Sequence, residues 1–373
     1  MSQKIDVSII SSGASLADAR LHRLTRALLR AGLCVEIFAP GNPKDAPKQT
    51  SKLFIRKPFL SAYWKLSSLG PRYFRSRYFV IRSKGGVIYA ISPEAIAPSF
   101  AYAKLVRRKL AVDFFEDYLR LLNDRAWTKR YLGLVGWVAK SDTKSALWFA
   151  KRADLTTVAD IQVPPFDAKN RLVVRNLPDT SLLTLSGERG LTPRAIYIGD
   201  LRESRGLHKM LRVAELAPDW EFDFVGGVAS SDQEFVEQWL RSNDPKQSRI
   251  RFHGRLAPQE SWKFAAGAWV GLSLLENTPA FVEAVPSKLY EYMAVGLATI
   301  STPLPRCIEL IAESQSGAIE STPEAVALRL TAWRNNPEEL DVLRSQGAKW
   351  ASDNLDSERE YAIFAAEMVK LTR

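Results

Sequence analysis

The alternation of apolar and polar positions predicts strands and helices in turn along the chain. The short apolar run Val7–Ile10 is typical of a buried strand, and the leucines of Leu21–Leu29 follow it at helical spacing. Gly32 is placed to end this helix, and Cys34–Ala39 is predicted to be the next strand. Strand, helix and strand in this order form a βαβ unit, which predicts parallel strands joined by a right-handed crossover.

The same alternation continues to the end of the chain and falls into two successive sets. Further helices are predicted around 95–109 and 207–216. Two such sets indicate two α/β domains, residues 1–180 and 193–356. Ligands of parallel sheets bind outside the carboxyl ends of the strands, so we expect the site in a cleft between the domains. The other predicted strands are Gly86–Ser92, Leu110–Phe115, Asp154–Ala159, Arg171–Asn176, Arg194–Asp200, Glu221–Gly227, Ile250–Gly254, Val270–Leu275 and Leu297–Thr302.

The composition of the 373 residues is that of a globular protein, with 46% hydrophobic and 25% charged residues. Gly and Pro, 20 of each, are near average use, which excludes collagen-like and low-complexity classes. The two cysteines, Cys34 and Cys307, exclude a disulfide framework and favour a cytoplasmic setting. No stretch reaches the roughly 18–20 apolar residues that span a bilayer, so we expect a soluble protein, at most attached to a membrane surface.

The charge is divided unevenly between the two halves. Residues 1–178 carry 31 Lys and Arg against 13 Asp and Glu, net +18, and the remainder is net −7 within a total of +11. A contrast of this size suggests two bodies with different partners. We expect the basic half to seek phosphate groups of nucleic acid, anionic lipid or a phosphate-bearing acceptor.

The segment Glu276–Thr302 is the most informative for chemistry. Glu283 and Glu291 stand eight positions apart, and Ser287 is placed to cap a helix that starts near Lys288. The first amides of that helix, together with Lys288, would form a site for anionic oxygen. On spacing alone, the simpler interpretation is an amphipathic helix with two ordinary surface glutamates.

The string PSKLYEYMAVGLATIST, with Glu283 upstream, closely resembles the E-x7-E region of the retaining glycosyltransferases of family 4, the group 1 transferases. Ile196–Leu211 is similar to their Y-x-G signature, Val173–Asp179 to the segment before the second domain, and Leu110–Tyr118 to their D-x-H-E segment. The resemblance implies the α/β GT-B fold, two Rossmann-like domains with parallel sheets facing a central cleft. The first domain would bind the acceptor and the second the nucleotide-sugar, and the last helix, 357–373, would pack back on the first domain.

The resemblance also implies roles for single residues. Arg205 would hold the donor diphosphate, where a cation stabilises the charge that grows as the sugar leaves. Glu291 would accept hydrogen bonds from the ribose hydroxyls, Glu283 would lie beside the transferred sugar, and Lys288 would line the sugar and phosphate pocket. A solvated surface cation is the alternative for Arg205 and for Lys288. The catalytic set is therefore Glu283, Arg205 and Lys288, and the donor-binding set adds Glu291, Ser287, Val285, Pro286, Gly199, Arg202 and Gly13.

The chain departs from the family pattern at two places. Asp200 stands where the family often has Arg, so Arg202 is expected to replace that phosphate contact. Phe115 stands where the D-x-H-E histidine would be, which leaves Asp113 and Glu116 as acceptor-side candidates. The alternative for Asp113 is that it only caps the end of a strand. These departures keep open a non-catalytic GT-B-like binding protein, beside another GT-B enzyme such as a phosphorylase or epimerase.

The mechanism that the resemblance implies is front-face displacement with retention of anomeric configuration. The diphosphate would leave, stabilised by Arg205, Lys288 and helix amides, while the acceptor hydroxyl attacks from the same side. The leaving phosphate oxygen would take the hydroxyl proton, since none of the three histidines stands in the usual acceptor-side place. No cofactor and no bound metal are expected, because the sequence offers no D-x-D motif and no His/Cys cluster.

Between Ala46 and Pro93 there is no acidic residue, and cations there are interleaved with aromatics. This composition suits an anionic membrane surface. Single-stranded nucleic acid is bound by similar mixtures, but no RNA-binding signature accompanies the stretch. The third alternative is that the aromatics are core and the cations simply solvated. We expect a peripheral protein on the inner face of the plasma membrane, with a lipid-linked or polysaccharide acceptor and no nucleic acid. The expected membrane patch is Arg56, Lys57, Trp64, Lys65, Arg72, Arg75 and Arg77.

Overall fold

A computed structural model of the chain contains two compact units, one of Met1–Asn176 with Glu358–Arg373 and one of Leu177–Ser357. The residues described by the structure are 4–13, 15–48, 50–56, 69–123, 128, 133–178, 183–244, 248–279, 281–282 and 287–373. Six residues of the predicted sites lie outside them, namely Lys57, Trp64, Lys65, Glu283, Val285 and Pro286.

The first unit is a parallel sheet covered by helices. Its strands are β1 (Val7–Ile10), β2 (Val35–Phe38), β3 (Leu53–Ile55), β4 (Val87–Ala90), β5 (Lys109–Phe114), β6 (Leu155–Val158) and β7 (Arg171–Val173). Its helices up to this point of the chain are α1 (Ala19–Arg30), α2 (Leu69–Arg82), α3 (Pro93–Leu105), α4 (Tyr118–Asn123) and α5 (Leu134–Ala150). The seven strands are parallel, in the order β3-β2-β1-β4-β5-β6-β7.

Alternate residues of each central strand point to opposite faces of the sheet and pack in two different hydrophobic cores. Val87 and Tyr89 of β4 pack with α1, whereas Ile88 and Ala90 pack with α2, α3 and α5. Both faces are therefore covered, which explains why the strands read as continuous apolar runs in the sequence.

The second unit repeats the architecture with six parallel strands. Its strands are β8 (Arg194–Ile198), β9 (Glu221–Val225), β10 (Ile250–Gly254), β11 (Val270–Ser273), β12 (Ala298–Ser301) and β13 (Gly317–Ile319), in the order β10-β9-β8-β11-β12-β13. Its helices are α6 (Leu207–Leu216), α7 (Gln233–Asn243), α8 (Pro258–Lys263), α9 (Ser287–Val295), α10 (Pro305–Ser314), α11 (Pro323–Asn335) and α12 (Pro337–Asn354). The predicted pair of parallel α/β sheets is confirmed.

The last helix, α13 (Ser357–Thr372), belongs almost entirely to the first unit. Its Phe364 and Met368 are fully buried in the core that also contains β1 and α1. The first unit is thus built from two distant parts of the chain. Among the described residues, no helix combines the length and the apolar character needed to cross a bilayer.

Candidate active site

The loop after β8 is held against the loop after β9 by backbone contacts. The N–H of Gly199 donates to the carbonyl of Val225 at 2.8 Å, and the N–H of Leu201 donates to that of Gly227 at 3.0 Å. A Cβ on Gly226 would lie 1.8 Å from the carbonyl oxygen of Gly199, so only glycine permits this approach. Residues 199–201 therefore leave the carboxyl end of the sheet in a fixed direction.

Arg205 lies in a short 3-10 turn between β8 and α6. The turn ends at Gly206, which has φ +83°, and a Cβ there would lie 2.0 Å from the carbonyl oxygen of Leu274. The carbonyl of Ser204 accepts a hydrogen bond from the N–H of Glu276 at 3.1 Å. The turn that carries Arg205 is therefore pressed against the loop that follows β11.

Tyr197, the tyrosine of the Y-x-G signature, links β8 to this turn. Its hydroxyl donates to the carbonyl of Asp200 at 3.1 Å and contacts the side chain of Arg205. Burial raises the pKa of Tyr197, and the Arg205 cation opposes that shift only in part, so the hydroxyl stays protonated.

Helix α9 is fixed to the sheet by Tyr292. The Tyr292 hydroxyl accepts from the N–H of Ile198 at 3.3 Å and donates to the carbonyl of Leu272 at 3.2 Å. β8 and β11 pair directly only at Ala195 and Ile196 of β8, and this hydroxyl joins them further along. A Cβ on Gly271 would lie 2.3 Å from the tyrosine ring, so this glycine makes room for it.

The first two turns of α9 bring Lys288 and Glu291 together. Lys288 Nζ lies 2.6 Å from Glu291 Oε2, and both side chains are largely buried. The same Nζ lies 5.7 Å from the ring centroid of Trp262. A Cβ on Gly199 would lie 3.2 Å from Lys288 Cε and 3.2 Å from the Tyr197 hydroxyl. The structure thus brings together Gly199, Lys288 and Glu291, with Arg205 joined to them through Tyr197. Ser287 is the first residue of this helix.

Asp200, which departs from the family pattern, forms ion pairs with two arginines beside this loop. Its Oδ2 lies 3.2 Å from Arg202 Nη2, and its Oδ1 lies 2.9 Å from Arg255 Nη2. Arg255 follows β10 directly, so strand order places it near Asp200 at the carboxyl end of the sheet. The carboxylate lowers the net positive charge of this edge while keeping both cations there.

In the first unit, Gly13 follows β1 and is exposed. The backbone N–H groups of Ser12 and Gly13 both donate to Ser92 Oγ at 3.2 Å. The Ser12 hydroxyl donates to the carboxylate of Glu94 at 2.9 Å. The glycine loop is therefore tied to the start of α3.

Asp113 is an internal structural residue, which argues against the predicted acceptor-side role. It is completely buried, and its two oxygens accept from Arg20 Nε at 2.8 Å and Nη2 at 2.7 Å. Thr157 donates a third hydrogen bond at 2.6 Å. Burial lowers the pKa of Arg20, but the attraction of Asp113 outweighs it and the net shift is upward. Glu116, just after β5, is exposed, and its acceptor-side role stays a prediction.

The predicted membrane patch is only partly a surface. Arg75 is 6% exposed, which corrects its assignment to that surface. Arg56 is half-buried, with its Nε 2.7 Å from Glu36 Oε2. Arg72 is also half-buried, and Arg77 is exposed on α2.

The three histidines have internal partners. His22 Nε2 lies 2.6 Å from the carbonyl oxygen of Leu16, and His253 Nε2 lies 2.7 Å from Asp223. His208 Nε2 lies 3.2 Å from Asp232. No group of three or more His, Cys, Asp or Glu side chains able to hold a metal ion is found within the described ranges.

Sequence reasoning missed Tyr292, Trp262 and Arg255 as parts of this site. Tyr292 was inside the recognised string, but no pattern reports that a tyrosine hydroxyl joins two strands. Arg255 carried a usable signal, since it directly follows a predicted strand, where side chains reach the ligand edge of a sheet.

Comparison with known proteins bears on the fold and on the second unit. Residues 186–350 match the family model described as glycosyl transferases group 1. Among solved structures, the chain is similar to a sucrose-phosphate synthase from Thermosynechococcus elongatus at 13% identity, with 99% of each chain covered and a TM-score of 0.71. It is similar to Anabaena HepE in complex with UDP and glucose at 16% identity, covering 99% of this chain and 100% of that one, with a TM-score of 0.69. A glycosyltransferase from Rickettsia africae matches at 12% identity over 99% and 100% of the two chains, with a TM-score of 0.67.

No curated protein matches the chain in sequence. The structural likenesses, at such low identity, show the fold alone, and this fold is GT-B, as the sequence predicted. The family match covers the unit that carries Arg205, Lys288 and Glu291. On that match, residues 186–350 are similar to the group 1 glycosyl transferases, and the protein is a glycosyltransferase.

Proposed function

We propose that the protein moves a sugar from a nucleotide-diphosphate sugar to the hydroxyl of a lipid-linked or envelope glycan acceptor, with retention of anomeric configuration. The observation that carries the proposal is the meeting of Arg205, Lys288 and Glu291 around Gly199 and Tyr197 in the unit that matches the family. Two cations and one carboxylate at the carboxyl end of a parallel sheet suit a ligand with both phosphates and hydroxyls.

In the proposed donor complex, Arg205 and Lys288 contact the diphosphate and Glu291 accepts from the ribose hydroxyls. Gly199, which carries no side chain, lets Lys288 and the Tyr197 hydroxyl pack closely against the backbone of this loop. Arg202, held by Asp200, supplies a further cation, and Gly13 remains a proposed donor-binding residue. Glu283 and the backbone of 285–287 are proposed to line the sugar.

In the proposed reaction the bond from the anomeric carbon to the diphosphate oxygen breaks as the acceptor oxygen bonds to the same face. Arg205 and Lys288 stabilise the negative charge that grows on the diphosphate. The leaving phosphate oxygen takes the acceptor proton, so no histidine base is needed. The scheme requires no bound metal.

The acceptor and the cellular place are proposed from the basic first unit. Its net charge of +18 over residues 1–178 suits an acceptor that carries phosphate, at the inner face of the plasma membrane. HepE was solved in complex with UDP and with UDP-glucose. UDP-sugars are therefore the first donors to test, before GDP- and ADP-sugars.

The first experiment is a thermal-shift screen of the three nucleotide-sugar classes, followed by turnover of Arg205→Ala with the donor so identified. We expect kcat to fall about 100- to 1000-fold, the range for loss of one stabilising donor group. Arg212→Ala is the matched control, since Arg212 is an exposed arginine on α6 that pairs with Glu215.

Full turnover of Arg205→Ala would remove Arg205 from the site. Donor binding without transfer to any glycan acceptor would favour a non-catalytic binding protein. Release of sugar phosphate or epimerised donor in an assay without acceptor would favour a phosphorylase or an epimerase.

A further inference from the structure

The outer layer of the first unit is formed by three neighbouring helices, α2, α3 and α5. On the inner side they bury Phe79, Ile96 and Ala146 against one face of the sheet. Their outer side is the surface of interest, because a helix of a globular protein normally presents polar residues there.

This outer side carries large apolar residues at helical spacing. On α5, Leu134, Trp137, Val138 and Trp148 are all exposed, with Trp137 at 68% and Trp148 at 50%. On α2, Phe74 is 77% exposed, and Ile81 stands two turns later on the same side. Several large apolar side chains exposed on one layer of neighbouring helices are typical of an interaction site.

The exposed charged residues among these aromatics are mostly cationic, and Arg77 is near enough to the half-buried Asp142 to lower its pKa. Arg77, Lys104 and Lys144 are exposed and form no ion pair within the described part of the chain. Two cations lie on aromatic rings instead: Lys104 Nζ is 5.6 Å from the centroid of Phe100, and Arg152 is 3.7 Å from that of Trp148.

The acidic side chains of the three helices are buried or half-buried, so none of them is fully exposed on this surface. α2 contains no acidic residue, Glu94 of α3 is buried, and Asp142 of α5 is half-buried. Burial raises the pKa of Asp142 to about 6, although its hydrogen bond with Tyr73 opposes the shift. The exposed charge of the layer is thus positive.

We propose that the outer side of α2, α3 and α5, here called the aromatic–basic face, docks on an anionic lipid bilayer. Tryptophan favours the headgroup zone, phenylalanine suits the apolar side of an interfacial helix, and cations are attracted to anionic lipid. The inference rests on the proposed function in one respect, since it names the surface by which the enzyme would reach a membrane-held acceptor. It replaces the buried Arg75 and the half-buried Arg56 of the sequence-based patch with residues that are exposed.

Charge and side-chain type favour a bilayer over two other occupants. A second copy of the chain would bring cations against cations. A single nucleic-acid strand would use the aromatics for stacking, but it offers nothing apolar to Leu134, Val138 and Ile81. An amphipathic surface with aliphatic, aromatic and basic side chains together is what an interfacial helix layer requires.

The test is sedimentation of the full chain with vesicles of phosphatidylcholine alone and of equimolar phosphatidylcholine and phosphatidylglycerol. The wild type is expected to bind the anionic vesicles and to lose binding at high salt. Trp137→Ser with Trp148→Ser is expected to weaken binding about tenfold or more, because two interfacial aromatics are removed. Arg77→Glu with Lys144→Glu is expected to abolish binding by charge reversal.

The matched control is Leu191→Ser with Leu328→Ser, which removes two exposed apolar side chains from the second unit. This control should bind like the wild type. Circular dichroism and thermal unfolding verify that each variant is folded. Equal binding of the tryptophan variant and the wild type would overturn the proposal, as would equal binding to neutral vesicles or salt-resistant self-association.

Donor binding separates this proposal from the proposed function. The tryptophan variant should keep the thermal shift that the wild type shows with its nucleotide-sugar. Arg205→Ala should lose turnover and still bind anionic vesicles. If vesicle binding fails while Arg205→Ala still abolishes transfer, only the aromatic–basic face is wrong.

Discussion

Tyr292 combines a buried ring with two backbone hydrogen bonds that no neighbouring strand supplies. Its hydroxyl accepts from Ile198 and donates to Leu272, so it closes the gap between β8 and β11 beneath the candidate site. Burial raises the pKa of Tyr292 well above the usual value, which keeps the hydroxyl a neutral donor. One atom thus couples the strand before Gly199 to the helix that carries Lys288.

Removal of this hydroxyl tests that coupling. Tyr292→Phe keeps the ring but leaves a buried N–H and a buried carbonyl unpaired, which costs about 1–3 kcal/mol. We expect the free energy of unfolding in urea to fall by that amount and the KM for the donor to rise. Tyr102→Phe is the control, because the Tyr102 hydroxyl makes one hydrogen bond, to the carbonyl of Ile81, and that bond is exposed to solvent. Equal stability of the two variants would contradict the role given to Tyr292.

At the scale of single residues, the sequence predicted which residues gather at the site better than it predicted their partners. Gly199, Lys288 and Glu291 come together because the recognised motif fixes their positions on one strand end and one helix. The partner of Asp113 could not be predicted, because a lone carboxylate near the end of a strand looks the same in the sequence whether it faces a substrate or a buried arginine. The partner, Arg20, is 93 residues away in sequence.

At the scale of elements, the turn after β8 shows how a glycine positions a catalytic side chain. Gly206 has φ +83° and lies directly against the carbonyl of Leu274. The position of Arg205 is therefore set by two constraints, the left-handed backbone of Gly206 and its close contact with the loop after β11.

Alanine substitution at two glycines with similar backbone angles separates the effect of the left-handed backbone from the effect of the close contact. Gly254 has φ +69° with nothing within 4 Å of a Cβ, so Gly254→Ala should suffer only the left-handed penalty of about 1–2 kcal/mol. Gly206→Ala adds an overlap that forces the backbone to move, about 1–3 kcal/mol more. We expect Gly206→Ala to lose more stability in urea unfolding and to lower kcat as Arg205 shifts. A kcat for Gly206→Ala equal to that for Gly254→Ala would contradict the positioning role.

Strands bounded by clear turn residues were predictable, and some of the shortest elements were not. β1 and β10 were predicted with their observed ends, since both are bounded by clear turn residues. β3 and β13 have three residues each and carry half-buried side chains, so neither gave a periodic signal. α2 was read only as a basic stretch, because its outer side is apolar and basic and hides the amphipathic pattern.

At the scale of the whole molecule, the division of charge has a structural counterpart. In the second unit, cationic side chains pair with carboxylates. Arg194, Arg251 and His253 all contact Asp223. Burial would raise the pKa of Asp223, but its hydrogen bonds with these residues outweigh that effect and the pKa is lowered. In the first unit, the exposed cations of α2, α3 and α5 lie beside aromatics. The sequence predicted the imbalance, but only the structure separates cations that are paired from cations that face outward.

The last helix makes the stability of the first unit depend on the last residues of the chain. Phe364 of α13 is fully buried, with its ring centroid 5.6 Å from that of Tyr89 on β4. Phe364→Ala should cost about 3–5 kcal/mol, because it opens a cavity in a closely packed core. Ile363→Ala, on the exposed side of the same helix, is the control. Hydrogen exchange should show faster opening of peptides from β1 and β4 in Phe364→Ala, with those from β8 and β11 unchanged. Faster exchange in both units alike would mean that the two units unfold as one, and the helix would then stabilise the whole molecule rather than the unit it packs on.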